Sequence, residues 1–196
     1  DLQHIKISNV LLQGDLVTNV INMTKEQHID YVVMGTEGAT GLKEFFIGTA
    51  TASVMTGTKA LVLGIPSESN YEPIKKIGFT TQFTIEELDS LRKLLPLARG
   101  FDAEIECIYV RTADNHVNEV IIADWKVIFK EEKVTFHIID SNEVEDTIIE
   151  FINTNNIHLL AMLNHKRSFW ESLFHTSLTK KMAWHLKVPL LALHDN

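Results

Sequence analysis

The sequence predicts an α/β fold built on a doubly wound parallel sheet. Three observations lead to it. Short apolar strands alternate with amphipathic helices along most of the chain, the pattern of a parallel sheet covered on both faces. The two ends of the chain align without gaps at a fixed offset of about 128 residues, the self-similarity expected of a repeated unit. The glycine-rich turn falls between a strand and a helix, where open α/β sheets bind their ligands.

The alignment lays His28-Ile29-Asp30-Tyr31-Val32-Val33-Met34 over Asn156-Ile157-His158-Leu159-Leu160-Ala161-Met162. It continues with Phe45-Phe46 over Leu173-Phe174, Gly48-Thr49 over Thr176-Ser177, and Lys59-Ala60-Leu61-Val62-Leu63 over Lys187-Val188-Pro189-Leu190-Leu191. The register holds through loops and helix ends, where chance similarity slips.

Residues 1–66 read as the C-terminal half of a first unit. We expect a strand near Ile5 to Leu12, a helix after Asp15, a strand from Tyr31 to Met34, a helix after Gly48 and a strand from Ala60 to Ile65. By the offset, about fifty residues with two strands and two helices are expected ahead of Asp1, so the chain reads as a piece of a longer protein. A polar, proline-flanked linker runs from Pro66 to Pro73.

Residues 74–196 read as a complete second unit with five strands. Ile77 to Phe79 is the first strand, and Thr84 with Glu87 forms a capping box for the helix that follows. The apolar stripe of that helix is Ile85, Leu88, Leu91, Leu95 and Ala98. Pro96 predicts a kink or an early end, and Gly100 a stop. Strands are expected at Ile105 to Val110, Val134 to Ile139, Ile157 to Met162 and Val188 to Leu193. Helices are expected at Val117 to Phe129, Val144 to Ile152 and Ser177 to Leu186.

Composition narrows the function. With 45% hydrophobic and 22% charged residues the chain is ordinary globular protein, not disordered. No apolar run approaches the ~18 residues of a membrane span, and the first residues lack the pattern of a secretory signal. The formal charge of −8 and the short basic groups Lys75-Lys76, His165-Lys166-Arg167 and Lys180-Lys181 argue against nucleic acid as a partner. Cys107 is the single cysteine, which excludes an internal disulfide and fits a cytoplasmic location.

One motif carries chemistry. Gly35-Thr36-Glu37-Gly38 is followed by nine residues, Ala39 to Ile47, and then Gly48-Thr49. Glycines let backbone approach a phosphate without an intervening Cβ. The helix opened by Gly48 and Thr49 offers free N–H groups and a positive dipole end. The Thr49 hydroxyl can cap that helix and donate to a phosphate oxygen. Neither the Walker pattern nor the dinucleotide fingerprint is present. The structural alternative is that Gly35 and Gly38 only turn the chain while Gly48 relieves packing.

Gly-x-x-Gly, nine residues and Gly-Ser/Thr after a buried strand resembles the ATP-binding signature of the universal stress protein family. Tyr31-Val32-Val33-Met34-Gly35-Thr36 and Leu42-Lys43-Glu44-Phe45-Phe46-Ile47-Gly48-Thr49 also look like that family. The resemblance implies a tandem protein of five-stranded, adenine nucleotide alpha hydrolase-like units, with ATP, alone or with Mg, held by Gly35, Gly38, Gly48 and Thr49. It implies domains paired through their last strands, within the chain or in a homo-oligomer, and a regulatory stress-response role.

The second unit departs from the signature. Leu163, Lys166 and Thr176 stand where the glycines should recur, and only Ser177 keeps its type. Gln82 takes the place of the aspartate that the family commonly carries after its first strand, at the nucleotide's adenine end. The expectation is one ATP-competent domain and one non-binding domain. A nucleotide-free dimerisation scaffold of the same fold is the alternative, and a slow ATP hydrolase the third reading.

Other candidates are weaker. His165, His175 and His185 are ten residues apart, so on one helix each step turns by about −80° and they share no face. Glu37 and Glu44 flank the loop and are either solvated or near a nucleotide-bound Mg. Cys107 lies mid-strand and reads as a buried, inert thiol. Trp125, Trp170 and Trp184 read as packing or interface residues. The apolar last strands, Ala60 to Ile65 and Val188 to Leu193, are edges that must be paired or protected. Apolar surface exposed by the incomplete first unit predicts oligomerisation.

Overall fold

Asp15 opens the first helix. Its carboxylate accepts the Thr18 N–H and the Thr18 hydroxyl, both at 2.8 Å, capping α1 (Leu16–Glu26). The same hydrogen bonds, led by the backbone one, hold the Asp15 carboxyl below its ordinary pKa. The computed structural model describes residues 5–36, 49–67, 69–113, 117–164 and 187–194. After α1 come β1 (Tyr31–Gly35), α2 (Thr49–Gly57) and β2 (Leu61–Ile65). The buried hydroxyls of Thr24 and Thr58 meet at 2.7 Å and tie the ends of α1 and α2 together.

The linker leads to β3 (Lys76–Thr80), α3 (Ile85–Phe101), β4 (Glu104–Arg111), α4 (Glu119–Ile128), β5 (Val134–Asp140), α5 (Val144–Thr154), β6 (Leu159–Asn164) and β7 (Leu190–His194). The capping box is formed: the Thr84 hydroxyl accepts the Glu87 N–H at 3.3 Å, and the Glu87 carboxylate accepts the Thr84 N–H at 3.0 Å. The helix expected at Ser177 to Leu186 lies outside the described residues.

All seven strands form one sheet in the order β1-β2-β7-β6-β3-β4-β5. Every neighbouring pair is parallel except β2 and β7, which run antiparallel with Val62 opposite Ala192 and Leu63 opposite Leu191. The sheet is therefore mixed and mostly parallel, where the sequence pointed to parallel five-stranded units. The two last strands do pair with each other, so neither is an edge. Within β3 to β7 all pairing is parallel, and the order reverses direction at β3 and β6. That is a topological switch point, where such sheets open a crevice.

A core lies on each face. Under α3 and α4, Phe79, Leu91, Leu94, Ile105, Tyr109 and Trp125 are almost fully buried. Under α2 and α5, Met55, Val62, Ile108, Ile148, Leu160 and Ala192 form the other core, which crosses the β2–β7 seam. Burying so many large apolar side chains at roughly 1.5–3 kcal/mol each is what drives this assembly.

Several local expectations are corrected. Ile5 to Leu12 is not a strand: its backbone is irregular, and Ile7 and Leu11 are 84% and 99% exposed. The aligned strand is β5, which pairs only with β4. A strand needs a hydrogen-bonding neighbour, and Ile5 to Leu12 has none among the described residues. Nor does Pro96 end α3, which runs unbroken to Phe101. Pro96 and Arg92 face solvent, so water can take the carbonyl that the proline leaves unbonded. Gly100 does not stop the helix either; Asp102, left-handed at φ 52°, takes that role. Leu88, Leu91 and Ala98 are buried as expected, but Ile85 is 65% exposed and Leu94, rather than Leu95, is fully buried between them.

Tyr-Val-Val-Met-Gly has the continuous apolar character of an interior strand, yet among the described residues β1 pairs with β2 alone, and Tyr31 is 50% and Val33 64% exposed. The aligned strand β6 lies between β3 and β7 and is buried throughout Leu159 to Leu163.

Candidate functional site

The crevice of interest begins where β1 ends. Gly35 sits opposite Ile65 in the parallel β1–β2 ladder, and the next residue, Thr36, donates its N–H to the Ile65 carbonyl at 2.9 Å. The Gly35 carbonyl accepts the Thr51 hydroxyl at 2.9 Å. That bond anchors the first turn of α2 beside the end of β1, bringing a helix N-terminus to the strand's carboxyl end. Thr51 is 3% exposed, and sequence reasoning missed it. Its only signal is its place two residues past the helix start at Thr49.

The local charge suits an anion. The first turn of α2 carries no acidic residue, so nothing there opposes the dipole's partial positive charge. A Cβ built on Gly35 meets nothing within 4 Å among the described residues. Gly35 is also absent from the glycines with positive φ. Among the described residues, then, Gly35 shows neither a close neighbour for a Cβ nor a positive φ. Gly64 on β2 differs: its Cβ would lie 2.9 Å from the Met55 terminal carbon and 3.3 Å from Thr36. Gly64 lets the α2 layer settle onto the sheet beneath the crevice.

Of the residues expected to hold phosphate, the structure brings together Gly35 and the helix start at Thr49. Gly38, Gly48, Glu37 and Glu44, and the Thr49 side chain, lie outside the described residues.

The aligned place after β6 is different in kind. Leu163 lies opposite Leu193 as Gly35 lies opposite Ile65, and it is buried, 3% exposed, in the core under α3 and α4. Lys166, Thr176 and Ser177 lie outside the described residues.

Protein groups also fill the crevice beside β3. The Glu87 carboxylate, on a residue only 5% exposed, takes the Thr81 hydroxyl at 3.0 Å, the Gln82 N–H at 2.7 Å and the Thr84 N–H at 3.0 Å on one oxygen. Donors that a ligand would need are thus consumed, and a buried acid would face any incoming phosphate. Phe83 turns inward in a left-handed conformation, φ 60°. Its ring packs 5.5 Å from that of Tyr109 and 5.0 Å from that of Trp125. Gln82, at the adenine-end position, is exposed.

Two further groups were weighed. Glu106 is buried between Lys76 at 3.4 Å and His137 at 2.6 Å, a satisfied polar chain under α5 rather than an open site. Among the described residues no three His, Cys, Asp or Glu side chains are grouped to hold a metal ion. Cys107 is buried, and burial, followed by the charges of Glu106 and Glu87, pushes its thiol well up. We expect a disulfide reagent to label native Cys107 at least ~100-fold more slowly than denatured protein at pH 8, because only exposed thiolate reacts. Comparable rates would contradict the buried strand.

This geometry can be set beside known proteins. The chain matches the Universal stress protein family over residues 1–66. Among solved structures, a universal stress protein from Archaeoglobus fulgidus DSM 4304 superposes with a TM-score of 0.71 at 16% identity, over 93% of this chain and 66% of its own. A putative universal stress protein from Pseudomonas aeruginosa UCBPP-PA14 gives 0.67 at 12% identity, covering 93% of this chain and 69% of its own. A universal stress protein in complex with cAMP gives 0.50 at 14% identity, covering 63% of this chain and 98% of its own. At these identities the likeness shows the universal stress protein fold. This chain spans 66% of the Archaeoglobus protein's length. No curated protein matches it. No helix among the described residues is long and apolar enough to cross a membrane.

Proposed function

We propose that this is a cytoplasmic, regulatory nucleotide-binding protein. It holds ATP, alone or with Mg, at Gly35, Gly38, Gly48 and Thr49, and residues 74–196 serve as a nucleotide-free partner domain. One observation carries this reading: equivalent register positions at the ends of β1 and β6 hold a glycine, Gly35, whose Cβ would meet nothing among the described residues, and a buried leucine, Leu163. A phosphate can approach the first backbone and is shut out by side chains at the second. The Glu87 carboxylate supports the same asymmetry. The relative in complex with cAMP supports an adenine nucleotide as ligand class.

Calorimetric titration of ATP with Mg into the intact protein is expected to show close to one site per chain. Two equal sites would reject the asymmetry. A scaffold that binds no nucleotide is the second reading, favoured by the β2–β7 pairing that joins the two halves without any ligand. It predicts no measurable heat and indifference to Gly38→Asp.

A further inference from the structure

The outward face of α4 is apolar. Val120, Ile121, Val127 and Ile128 are 63%, 40%, 67% and 45% exposed, and Asp124 between them is exposed as well. On a helix the surface neighbours of a residue lie three and four positions away. For Asp124 these are Val120 and Ile121 on one side and Val127 and Ile128 on the other, so exposed apolar side chains ring one carboxylate. Asp124 has neither a hydrogen bond nor an ion pair among the described residues. Ile122 and Trp125 hold the other face of the helix against the core, where the Trp125 ring lies 6.4 Å from that of Phe136 on β5.

A helix on this sheet has no need of such a face. Along the middle of their outward faces α3 exposes Glu86, Asp89 and Arg92, and α5 exposes Asp146, Glu150 and Asn153. Single apolar residues on a surface are ordinary, but a contiguous group of them marks an interaction site. The carboxylate at its centre limits the occupant. A second copy docked helix to helix over this patch sets Asp124 against Asp124, and like charges in contact oppose the pairing. A lipid surface would strip water from a carboxylate that no cation meets, which is costly. A cation brought by the partner removes both objections.

We propose that the outward face of α4 docks an amphipathic helix of another protein, one that presents a lysine or arginine ringed by apolar side chains at three- and four-residue spacing. The basic group meets Asp124, and the apolar contacts around the pair exclude water, the arrangement of an interface hot spot. Attraction between the two charges strengthens as water leaves. The same pair sets register and partner choice, because a helix with an acidic or apolar centre leaves Asp124 repelled or unpaired. The inference does not rest on ATP binding at Gly35: β1 and β5 stand at opposite ends of the described strand order, six strand spacings or about 29 Å apart.

A pair of fluorescent synthetic peptides tests it. Each has about 18 residues in an alanine-rich, helix-favouring background, with leucine three and four positions to either side of a central residue. That residue is lysine in one peptide and glutamate in its twin. Titrated with the full chain and followed by anisotropy, the lysine peptide is expected to bind at least about tenfold more tightly than the twin. Asp124→Lys should invert that order. Val120→Gln with Val127→Gln should weaken the lysine peptide at least about tenfold, while the melting temperature stays within about 2 °C of the parent because both side chains are exposed. Absence of binding, equal affinity for the two peptides, or an order unchanged by Asp124→Lys overturns the proposal. So does self-association of the chain alone that the valine pair abolishes in sedimentation, which would assign the face to a second copy. Binding to phosphatidylglycerol vesicles that is lost in the same variant would assign it to a membrane and overturn the proposal as well.

Discussion

Gly35→Leu is expected to leave the protein folded, with its melting temperature within about 2 °C of the parent, while ATP affinity falls at least ~100-fold, near 2.7 kcal/mol. A Cβ added there meets nothing within 4 Å among the described residues. The backbone there is ordinary strand, whose conformation a leucine accepts without strain. The Gly35 carbonyl keeps its bond from Thr51, since no backbone atom changes. What the leucine does occupy is the space above the end of β1 and before α2, where a phosphate must lie. Melting curves and ATP titrations on the same preparation separate the possibilities. Loss of stability with affinity retained would make Gly35 a folding residue and remove the main support for the ATP site.

Phe83→Ala is expected to lower stability by about 3–5 kcal/mol, the usual cost of deleting a buried phenyl ring, or roughly 10 °C for a chain of this size. Phe83 is 5% exposed, and its ring meets Tyr109, Trp125 and Phe136 with centroids 5.0 to 6.0 Å away. Its backbone is left-handed, φ 60°, which costs a non-glycine residue about 1–2 kcal/mol. Phe83→Gly should therefore be less harmful than Phe83→Ala by about 1 kcal/mol, the reverse of the usual order in a strand or helix. If alanine is the milder change in denaturant melts, the strained turn after β3 is not as described. Neither variant should create a second ATP site, because Glu87 still consumes the donors of that loop.

The sequence was informative where a local rule met no competitor. Asp15, and Thr84 with Glu87, announced their helices because caps satisfy backbone groups within three or four residues. The apolar runs at Tyr31, Ile105, Val134 and Leu159 announced strands because burial on both faces tolerates few polar side chains. The crevice was legible as far as the turn at Gly35 and the helix start at Thr49, since spacing between strand and helix is a local property. Thr51 was not, because its bond to the Gly35 carbonyl exists only after strand and helix are brought together. The Glu87 carboxylate was read as a cap alone. That it also takes Thr81 and Gln82 depends on how the loop folds over the switch point.

Ile5 to Leu12 shows the limit most plainly. Its residues suit a strand, but a strand's hydrogen bonds are made with another part of the chain, and propensity cannot supply the partner. The sequence by itself determined which segments are strands or helices in most places, that the chain repeats, and where a phosphate could be cradled. Only the tertiary structure decided that seven strands make one mixed sheet, that β2 and β7 meet antiparallel, that β1 pairs with β2 alone among the described residues, and that Leu163 is buried at the register position that Gly35 holds in β1. The reason is range: caps and periodicity act over one or two helical turns, whereas strand order, burial and cavities are set by residues more than a hundred positions apart.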